Sequence, residues 1–205
     1  MSTDNLSSDE YLVPAKTADA EIKVKGSRFI ATVFHAETKE SAEEQYLLLK
    51  KKNYNATHNC FAYRIDDNLF RYSDDGEPSG TAGKPILQTI DGQNIYEVLC
   101  VVTRYFGGTK LGTGGLIRAY SDAAAEALKQ LRLKVKVRAE IIRLGLHYEQ
   151  ENIIRNLLNE FNGKIVGSDY TDQIKMDVSI PESLRRNFEE RLTEITHSTV
   201  TVTSL

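Results

Sequence analysis

The stretch "YEVLCVVTRYFGGTKLGTGGLIRAYSDAAAEALKQL", residues 96–131, decides the fold of this 205-residue chain. Its first part is continuously apolar and β-branched, which predicts a central strand buried on both faces. Its last part predicts an amphipathic helix whose small residues allow close approach to a sheet. The apolar stripe of that helix comprises Leu116, Tyr120, Ala123, Ala124, Ala127, Leu128 and Leu131.

The loop between this strand and this helix combines bare backbone with positive charge. Five of the chain's 13 glycines lie between Gly107 and Gly115, and three cations, Arg104, Lys110 and Arg118, lie within the same region. The first N–H groups of a helix have no intrahelical partner and sit at its positive end, so they bind anions, and glycines let a phosphate approach closely. The pattern predicts a phosphate-binding loop; a tight turn with solvated cations is the alternative.

The spacing of these glycines excludes two established nucleotide motifs. A P-loop needs Lys and Ser/Thr after its last glycine, but Gly112 is followed by Thr113 and Gly114. A dinucleotide fingerprint beginning at Gly112 would need glycine or alanine where Ile117 stands. The sequence therefore supports neither ATP nor NAD, and we expect no cofactor.

The residues before this stretch predict a mixed α and β arrangement. Alternation on both sides of Gly26 predicts a β-hairpin, and Thr38 is a candidate N-cap for the helix that follows it. We further predict a strand at residues 58–65, its partner at 68–73 and a short helix at 86–94.

After Leu131 the pattern changes. Residues 134–148 alternate as one long strand, and the order β-α-β-β-α-β over about 70 residues is typical of a ferredoxin-like domain. The fold class is therefore α+β. We expect a disordered or poorly ordered tail at residues 1–15, an N-terminal domain at 16–132 and a ferredoxin-like domain at 133–205.

Composition is that of an ordinary globular protein, with 40% hydrophobic and 27% charged residues and a net charge of −3. The chain has no overall attraction for nucleic acid or for an acidic membrane, so any anion site must be a local patch. Two cysteines fit a reducing compartment, and the polar, acidic start does not have the pattern of a signal or transit peptide. We expect a cytoplasmic protein without a membrane partner.

Metal and catalytic chemistry find little support in the sequence. Asp74, Asp75 and Glu77 could hold a divalent metal, but pairing with Arg104, Lys110 or Arg118 is favoured, because their spacing does not fit a calcium loop. His58 and Cys60 share one face of a strand, yet the other histidines are scattered and zinc would need two more ligands. We therefore predict no metal site and no catalytic residue.

Four blocks of the sequence resemble the YigZ/IMPACT family of small cytoplasmic proteins over about residues 16–130. The blocks are "KGSRFIATVFHA", "THNCFAYRI", "RYSDDGEPSGTAGKPIL" and "VVTRYFGGTKLGTGGLIRAYSDAAAEAL". The resemblance implies a βαβ-type N-terminal domain like the fourth domain of elongation factor G, and a C-terminal domain similar to its fifth. It also implies a link to translation, since eukaryotic members regulate translation under amino-acid stress by competing for the activator of a protein kinase. Those members make that contact through an extra RWD domain that this sequence lacks, so the link stays general.

The favoured hypothesis is a non-enzymatic RNA- or ribosome-binding protein that regulates translation. The alternative is an enzyme acting on a phosphorylated metabolite or nucleotide, because the implied fold is shared with GHMP kinases; a peptidase has no matching constellation, and no protein partner is identified. The predicted phosphate- or nucleic-acid-binding residues are Arg28, Arg104, Gly107, Gly108, Lys110, Gly112, Thr113, Gly114, Gly115 and Arg118. A predicted additional surface comprises Phe29, His58, Asp74, Asp75, Tyr105 and Phe106, whose aromatic members would stack on exposed bases.

Overall fold

A computed structural model describes residues 7–205 of the protein, and these residues form two compact units. The first unit comprises Tyr11–Lys136. The second comprises Val137–Leu205 together with the described residues before Tyr11. The second unit thus begins at Val137, whereas the sequence predicted a domain start at 133. Residues 1–6 of the predicted tail lie outside the described residues.

The first unit is built on a five-stranded antiparallel sheet with the order β2-β3-β6-β4-β5. A separate two-stranded sheet pairs β1 with β7. The strands are β1 (Glu10–Pro14), β2 (Ala18–Val24), β3 (Ser27–His35), β4 (His58–Arg64), β5 (Phe70–Ser73), β6 (Val98–Tyr105) and β7 (Leu133–Val137). The helices are α1 (Lys39–Lys52), α2 (Gly83–Asp91) and α3 (Gly112–Lys129).

The predicted central strand is confirmed, because β6 lies between β3 and β4 in the middle of the five-stranded sheet. On one face, Cys100 and Val102 pack in a core cluster with α2 and α3. On the other face, Leu99 and Val101 pack in a cluster that includes residues of α1. Both faces of β6 are therefore covered, which is why its sequence is continuously apolar.

The local signals before β6 are confirmed as well. β2 and β3 form a hairpin whose two turn residues, Lys25 and Gly26, have φ values of +44° and +83°. Left-handed conformations at both central residues match the twist of the flanking strands, as in a type I′ turn. Thr38 caps α1, since its Oγ1 accepts a hydrogen bond of 3.1 Å from the N–H of Ser41.

The predicted stripe of α3 faces the core. Six of its residues are buried, and Leu131, just beyond the helix, packs against the same cluster while partly exposed. The four buried alanines of the unit's longest helix keep its backbone close to its neighbours. The buried members are Leu116, Tyr120, Ala123, Ala124, Ala127 and Leu128.

The expectation of a poorly ordered tail up to residue 15 is wrong for residues 10–14, which form β1. Leu12 and Val13 are buried, and the carbonyl of Leu12 accepts a hydrogen bond of 2.9 Å from Tyr96 N. Just after the strand, Ala15 N donates to the carbonyl of Arg132 at 2.7 Å. The apolar run of β1 is too short to show a period, so its sequence carried no strand signal.

The single long strand expected at residues 134–148 is also wrong, because β7 ends at Val137 and β8 (Ala139–Leu146) begins after Arg138. β7 pairs with β1, whereas β8 pairs with strands of the second unit. Arg138 lies between them and donates its N–H to the carbonyl of Asp9 at 2.8 Å. Alternation has the same period in both strands, so it does not reveal that the partner strand changes.

The second unit has the predicted ferredoxin-like order, and with it the α+β fold class is confirmed. Its antiparallel sheet has the order β11-β8-β10-β9. Along the chain, the hairpin β9–β10 lies between the two helical connections of the domain. One face of this sheet forms a buried core with its helices. Its further elements are α4 (Glu151–Glu160), β9 (Lys164–Tyr170), β10 (Ile174–Pro181), α5 (Arg185–Thr196) and β11 (Thr201–Ser204).

Among residues 7–205, no helix combines the length and the apolar character that crossing a membrane would require.

Candidate functional site

The loop after β6 begins with a contact between two backbones. A Cβ atom at Gly107 would lie 1.8 Å from the carbonyl carbon of Gly26, so only glycine fits there. The N–H of Gly107 donates to Oγ of Ser27 at 3.1 Å. Gly107 therefore joins this loop to the β2–β3 turn, and the prediction that its N–H is open to a phosphate is wrong.

The other glycines of the loop are open. A Cβ atom at Gly108, Gly112 or Gly114 would meet no described atom within 4 Å. Gly108 and Gly112 have φ values of +87° and +72°, which favour glycine, but Gly114 has an ordinary helical backbone. At Gly115 a Cβ atom would lie 3.1 Å from Cβ of Leu111. No protein contact therefore requires glycine at position 114.

The first turn of α3 begins at Gly112 and continues through Thr113, and no side chain caps it. Its N–H groups are thus left for water or a ligand. Lys110 and Arg118 flank this turn and are exposed. Within residues 7–205, no ion pair is found for either cation. Among the described residues, this segment therefore combines two cations that lack an ion pair with a helix start that lacks a side-chain cap.

Arg104 differs from these two cations, because it is only 5% exposed and its charge is compensated. Its guanidinium lies 2.5 Å from Oε1 of Glu77, and the hydroxyl of Tyr120 donates to the same oxygen at 2.8 Å. Burial raises the pKa of Tyr120, so its hydroxyl stays protonated. The prediction of Arg104 as a free phosphate ligand is therefore wrong, whereas the expected pairing with the acidic loop is found at Glu77.

One atom of Arg104 has no partner. Its Nε is the buried side-chain polar atom without a hydrogen bond among the described residues. The second carboxylate oxygen of Glu77, Oε2, also accepts no hydrogen bond from residues 7–205. One donor of Arg104 and one acceptor of Glu77 are thus left unused in a largely buried ion pair, where unpaired polar groups are costly.

His58 lies beside this pair. Its Nδ1 is 2.8 Å from the carbonyl oxygen of Asp75, and because a carbonyl only accepts, Nδ1 carries the hydrogen. Its Nε2 lies 3.9 Å from Oε1 of Glu77. Cys60, two residues along the strand, is buried; burial raises the pKa of its thiol, so it is not an activated nucleophile.

The acidic loop is a structural turn. The carboxylate of Asp74 accepts hydrogen bonds of 2.8–3.0 Å from the backbone N–H groups of Gly80, Ala82 and Gly83. Asp75 accepts from Asn59 N at 2.7 Å and pairs with Lys50 at 2.6 Å. Both side chains are therefore engaged within the protein, which contradicts their prediction as a ligand-contacting surface.

A cluster of possible metal ligands lies at a different place in the first unit. Among residues 7–205, the side chains close enough to hold an ion together are those of His35, Glu37 and Glu97. Lys136 already places its ammonium group 2.9 Å from both carboxylates. This amine occupies the place that a cation would take, so the arrangement does not call for a metal.

The predicted stacking surface is only partly available. Phe29 is fully buried and packs edge-on against Tyr120, so its assignment as a base-stacking side chain is wrong. Tyr105 is half-buried under the guanidinium of Arg28, which itself forms a bidentate pair with Glu21 on the surface. Phe106 is 48% exposed and remains available for stacking.

These residues surround a cleft of about 410 Å³ at the start of α3. Its size is within the range of small-molecule sites. His58 and Arg104 meet there because they are direct cross-strand partners in β4 and β6, a register that local patterns do not reveal. The lining residues are Thr57, His58, Glu77, Pro78, Arg104, Phe106, Lys110, Leu111, Gly112, Thr113 and Leu116. Those that were not assigned to a binding site from the sequence are Thr57, Glu77, Pro78, Leu111 and Leu116.

Comparison with known proteins finds two family matches. Residues 25–128 match the Impact N-terminal domain, and residues 144–199 match a domain of unknown function, DUF1949. An IMPACT family member of Haemophilus influenzae is 37% identical over 90% of this chain and 92% of its own. The IMPACT family member YigZ of Escherichia coli is 34% identical over 94% of this chain and 96% of its own. A crystal structure described as that of a hypothetical protein is 33% identical, with a TM-score of 0.70 over 96% of this chain and 98% of that one.

Proposed function

The chain belongs to the IMPACT family, and from this premise we propose that it is a non-enzymatic protein that binds structured RNA, such as that of the ribosome, and thereby modulates translation. The observation that carries the proposal is the first turn of α3, which no side chain caps, together with the exposed cations Lys110 and Arg118, for which no ion pair is found in residues 7–205. Backbone N–H groups at a helix start and basic side chains are the groups that most often contact nucleic-acid phosphates.

The charge distribution supports a local interface. The net charge is −3, so the protein as a whole does not attract a polyanion. Arg104 and Arg28 are compensated by Glu77 and Glu21. The positive potential near the loop therefore comes from Lys110, Arg118 and the start of α3, and RNA affinity should depend on these groups.

The first prediction concerns these cations. Replacing Lys110 or Arg118 by alanine should weaken binding to all RNA sequences to a similar degree, because phosphates carry no base information. Each lost phosphate contact should flatten the log–log salt dependence by about one unit. The measurement is a salt titration of affinity for ribosomal RNA fragments by fluorescence anisotropy.

Gly114→Ala and Lys51→Ala complete this experiment. A methyl group at Gly114 meets no protein atom, so lost RNA affinity would report a phosphate close to the backbone. Lys51 is an exposed lysine on α1, which covers the opposite face of the sheet, and its replacement controls for charge alone. Equal affinity in wild type and every variant, or no RNA binding at all, would show that the loop is only a tight turn.

One observation favours a second candidate function, an enzyme acting on a phosphorylated metabolite or nucleotide. His58 and Glu77, two side chains able to exchange protons, meet at the wall of a cleft. Incubation with nucleotides and sugar phosphates tests it. Turnover that disappears in His58→Asn, with the fold retained, would replace the RNA-binding proposal with this one.

A further inference from the structure

The cleft at the start of α3 has two chemically different parts. Its open rim carries Lys110, Gly112 and Thr113, the groups assigned above to a phosphate. Its remaining lining combines apolar side chains with buried polar ones. Apolar side chains do not contribute to binding a phosphate, so this part of the cleft suits a different chemical group. The apolar members are Pro78, Phe106, Leu111 and Leu116.

Glu77 argues against an anion in the inner part of the cleft. Its carboxylate is 8% exposed and neutralises Arg104, so the pair offers no net positive charge. A phosphate placed there would lose its water and lie beside a carboxylate, which is costly in a poorly solvated site. The inner part therefore favours an uncharged group.

The unused hydrogen-bonding atoms describe that group further. Nε of Arg104 is buried and lacks an acceptor, while Oε2 of Glu77 lacks a donor among the described residues. Both residues line the cleft, so a matching ligand carries at least one acceptor and one N–H donor. The guanidinium of Arg104 lies 5.4 Å from the ring centroid of Phe29 and 5.5 Å from that of Phe106. Because Phe106 is only half-buried, part of an aromatic ring is accessible beside the ion pair.

We propose that this cleft receives one unstacked nucleobase of the bound RNA, with its phosphate at the first turn of α3. The inference rests on the proposed RNA-binding function and adds to it a contact with a base. A nucleobase is an uncharged planar ring with adjacent donors and acceptors on its edge and two apolar faces, and single-stranded bases are commonly bound by aromatic stacking.

The test compares ligands that share one phosphate. The four nucleoside 5′-monophosphates and ribose 5-phosphate are titrated into the full-length protein, and backbone amide shifts are followed by NMR. At least one nucleotide should bind about fivefold or more tightly than ribose 5-phosphate, since stacking of a single base contributes at least that much. Equal binding of all five ligands, or no shifts around the cleft at millimolar concentration, overturns the inference.

Two variants locate the base. Phe106→Ala should remove most of the advantage of the nucleotide over ribose 5-phosphate, whereas Tyr54→Ala, an aromatic residue 86% exposed and outside the cleft, should not. Glu77→Gln, checked for folding by thermal unfolding, should reduce the ratio of nucleotide affinity to ribose 5-phosphate affinity, because the carboxylate that accepts from the base is lost. An unchanged ratio in Glu77→Gln would contradict a base contact at Glu77.

The two proposals fail differently. RNA binding with a salt slope that depends on Lys110 and Arg118, but without any nucleotide preference, would remove the base contact alone. Absence of RNA binding together with absence of nucleotide binding would remove both.

Discussion

Gly107, in the loop before α3, and Gly114, in the first turn of that helix, are subject to different steric constraints. A Cβ atom at Gly107 would overlap the backbone of Gly26, whereas one at Gly114 meets open space. Gly107→Ala should therefore destabilise the protein by about 1–3 kcal/mol or more, because two backbones must separate. Gly114→Ala should be neutral or stabilising by up to about 1 kcal/mol, because alanine favours the helix. Urea unfolding of both variants measures this, and equal stabilities would contradict the close approach of Gly107 to Gly26.

At this scale the sequence predicted the chemistry of exposed residues better than that of buried ones. Lys110 and Arg118 are exposed and have no ion pair within residues 7–205, which fits the cationic side chains that the sequence shows there. Phe29 and Arg104 were assigned to the surface, but they are direct cross-strand partners on the covered face of the sheet. Their burial depends on the pairing of β3 with β6, which joins residues far apart in the chain. A strand's own alternation fixes which residues share a face, not what covers it.

The elements β1, β3 and β7 are held together by one carboxylate. Glu97 accepts hydrogen bonds from Tyr11 at 2.7 Å and from Lys136 at 2.9 Å, and His35 lies 2.8 Å away. Burial alone would raise the pKa of Glu97, but these partners together hold it below its ordinary value of 4.5. A lowered pKa in the folded state means that the stabilisation is complete above about pH 4.5 and is lost as the pH falls through the folded value.

We therefore expect the first unit to lose stability in acid through Glu97. Wild type should be less stable to urea at pH 3.5 than at pH 7, and in Glu97→Gln this difference should be smaller. Glu126→Gln, at an exposed carboxylate on α3, is the matched control and should keep the wild-type difference. An unchanged acid dependence in Glu97→Gln would mean that other carboxylates account for it.

The same elements explain which parts of the fold the sequence could predict. The β2–β3 hairpin, α1 and α3 each carry a complete local signal, namely a turn residue, a cap or a long stripe. β1 carries none, and the alternation of β7 continues into β8, so neither strand shows that the two pair with each other. Their pairing joins opposite ends of the first unit's sequence, and the Glu97 contacts with both strands have no periodic pattern.

At the scale of the molecule, the second unit is formed by two separate segments of the chain. The described residues before Tyr11 group with the second unit, and the chain then forms the whole first unit before it returns at Val137. Asp9 illustrates this connection within the second unit, since its carboxylate accepts hydrogen bonds from the N–H and Oγ of Ser183 at 3.1 and 2.5 Å. A fragment that begins at Val137 therefore lacks a buried hydrogen-bonding partner that the full chain supplies.

Separate expression tests whether the units fold alone. A fragment of residues 11–136 should give a dispersed NMR spectrum, because it holds both core clusters that cover the five-stranded sheet. It should also keep the RNA affinity and salt slope of the full chain, because Lys110, Arg118 and the first turn of α3 all lie within it. A fragment of residues 137–205 should fold less stably than the same region in the full chain, and Asp9→Ala in the full chain should reproduce much of that loss, by about 1–3 kcal/mol. Hydrogen exchange of second-unit amides measures both effects. A disordered 11–136 fragment beside a well-folded full chain would mean that the first unit depends on the second for its fold, and its RNA affinity would then have to be measured in the full chain.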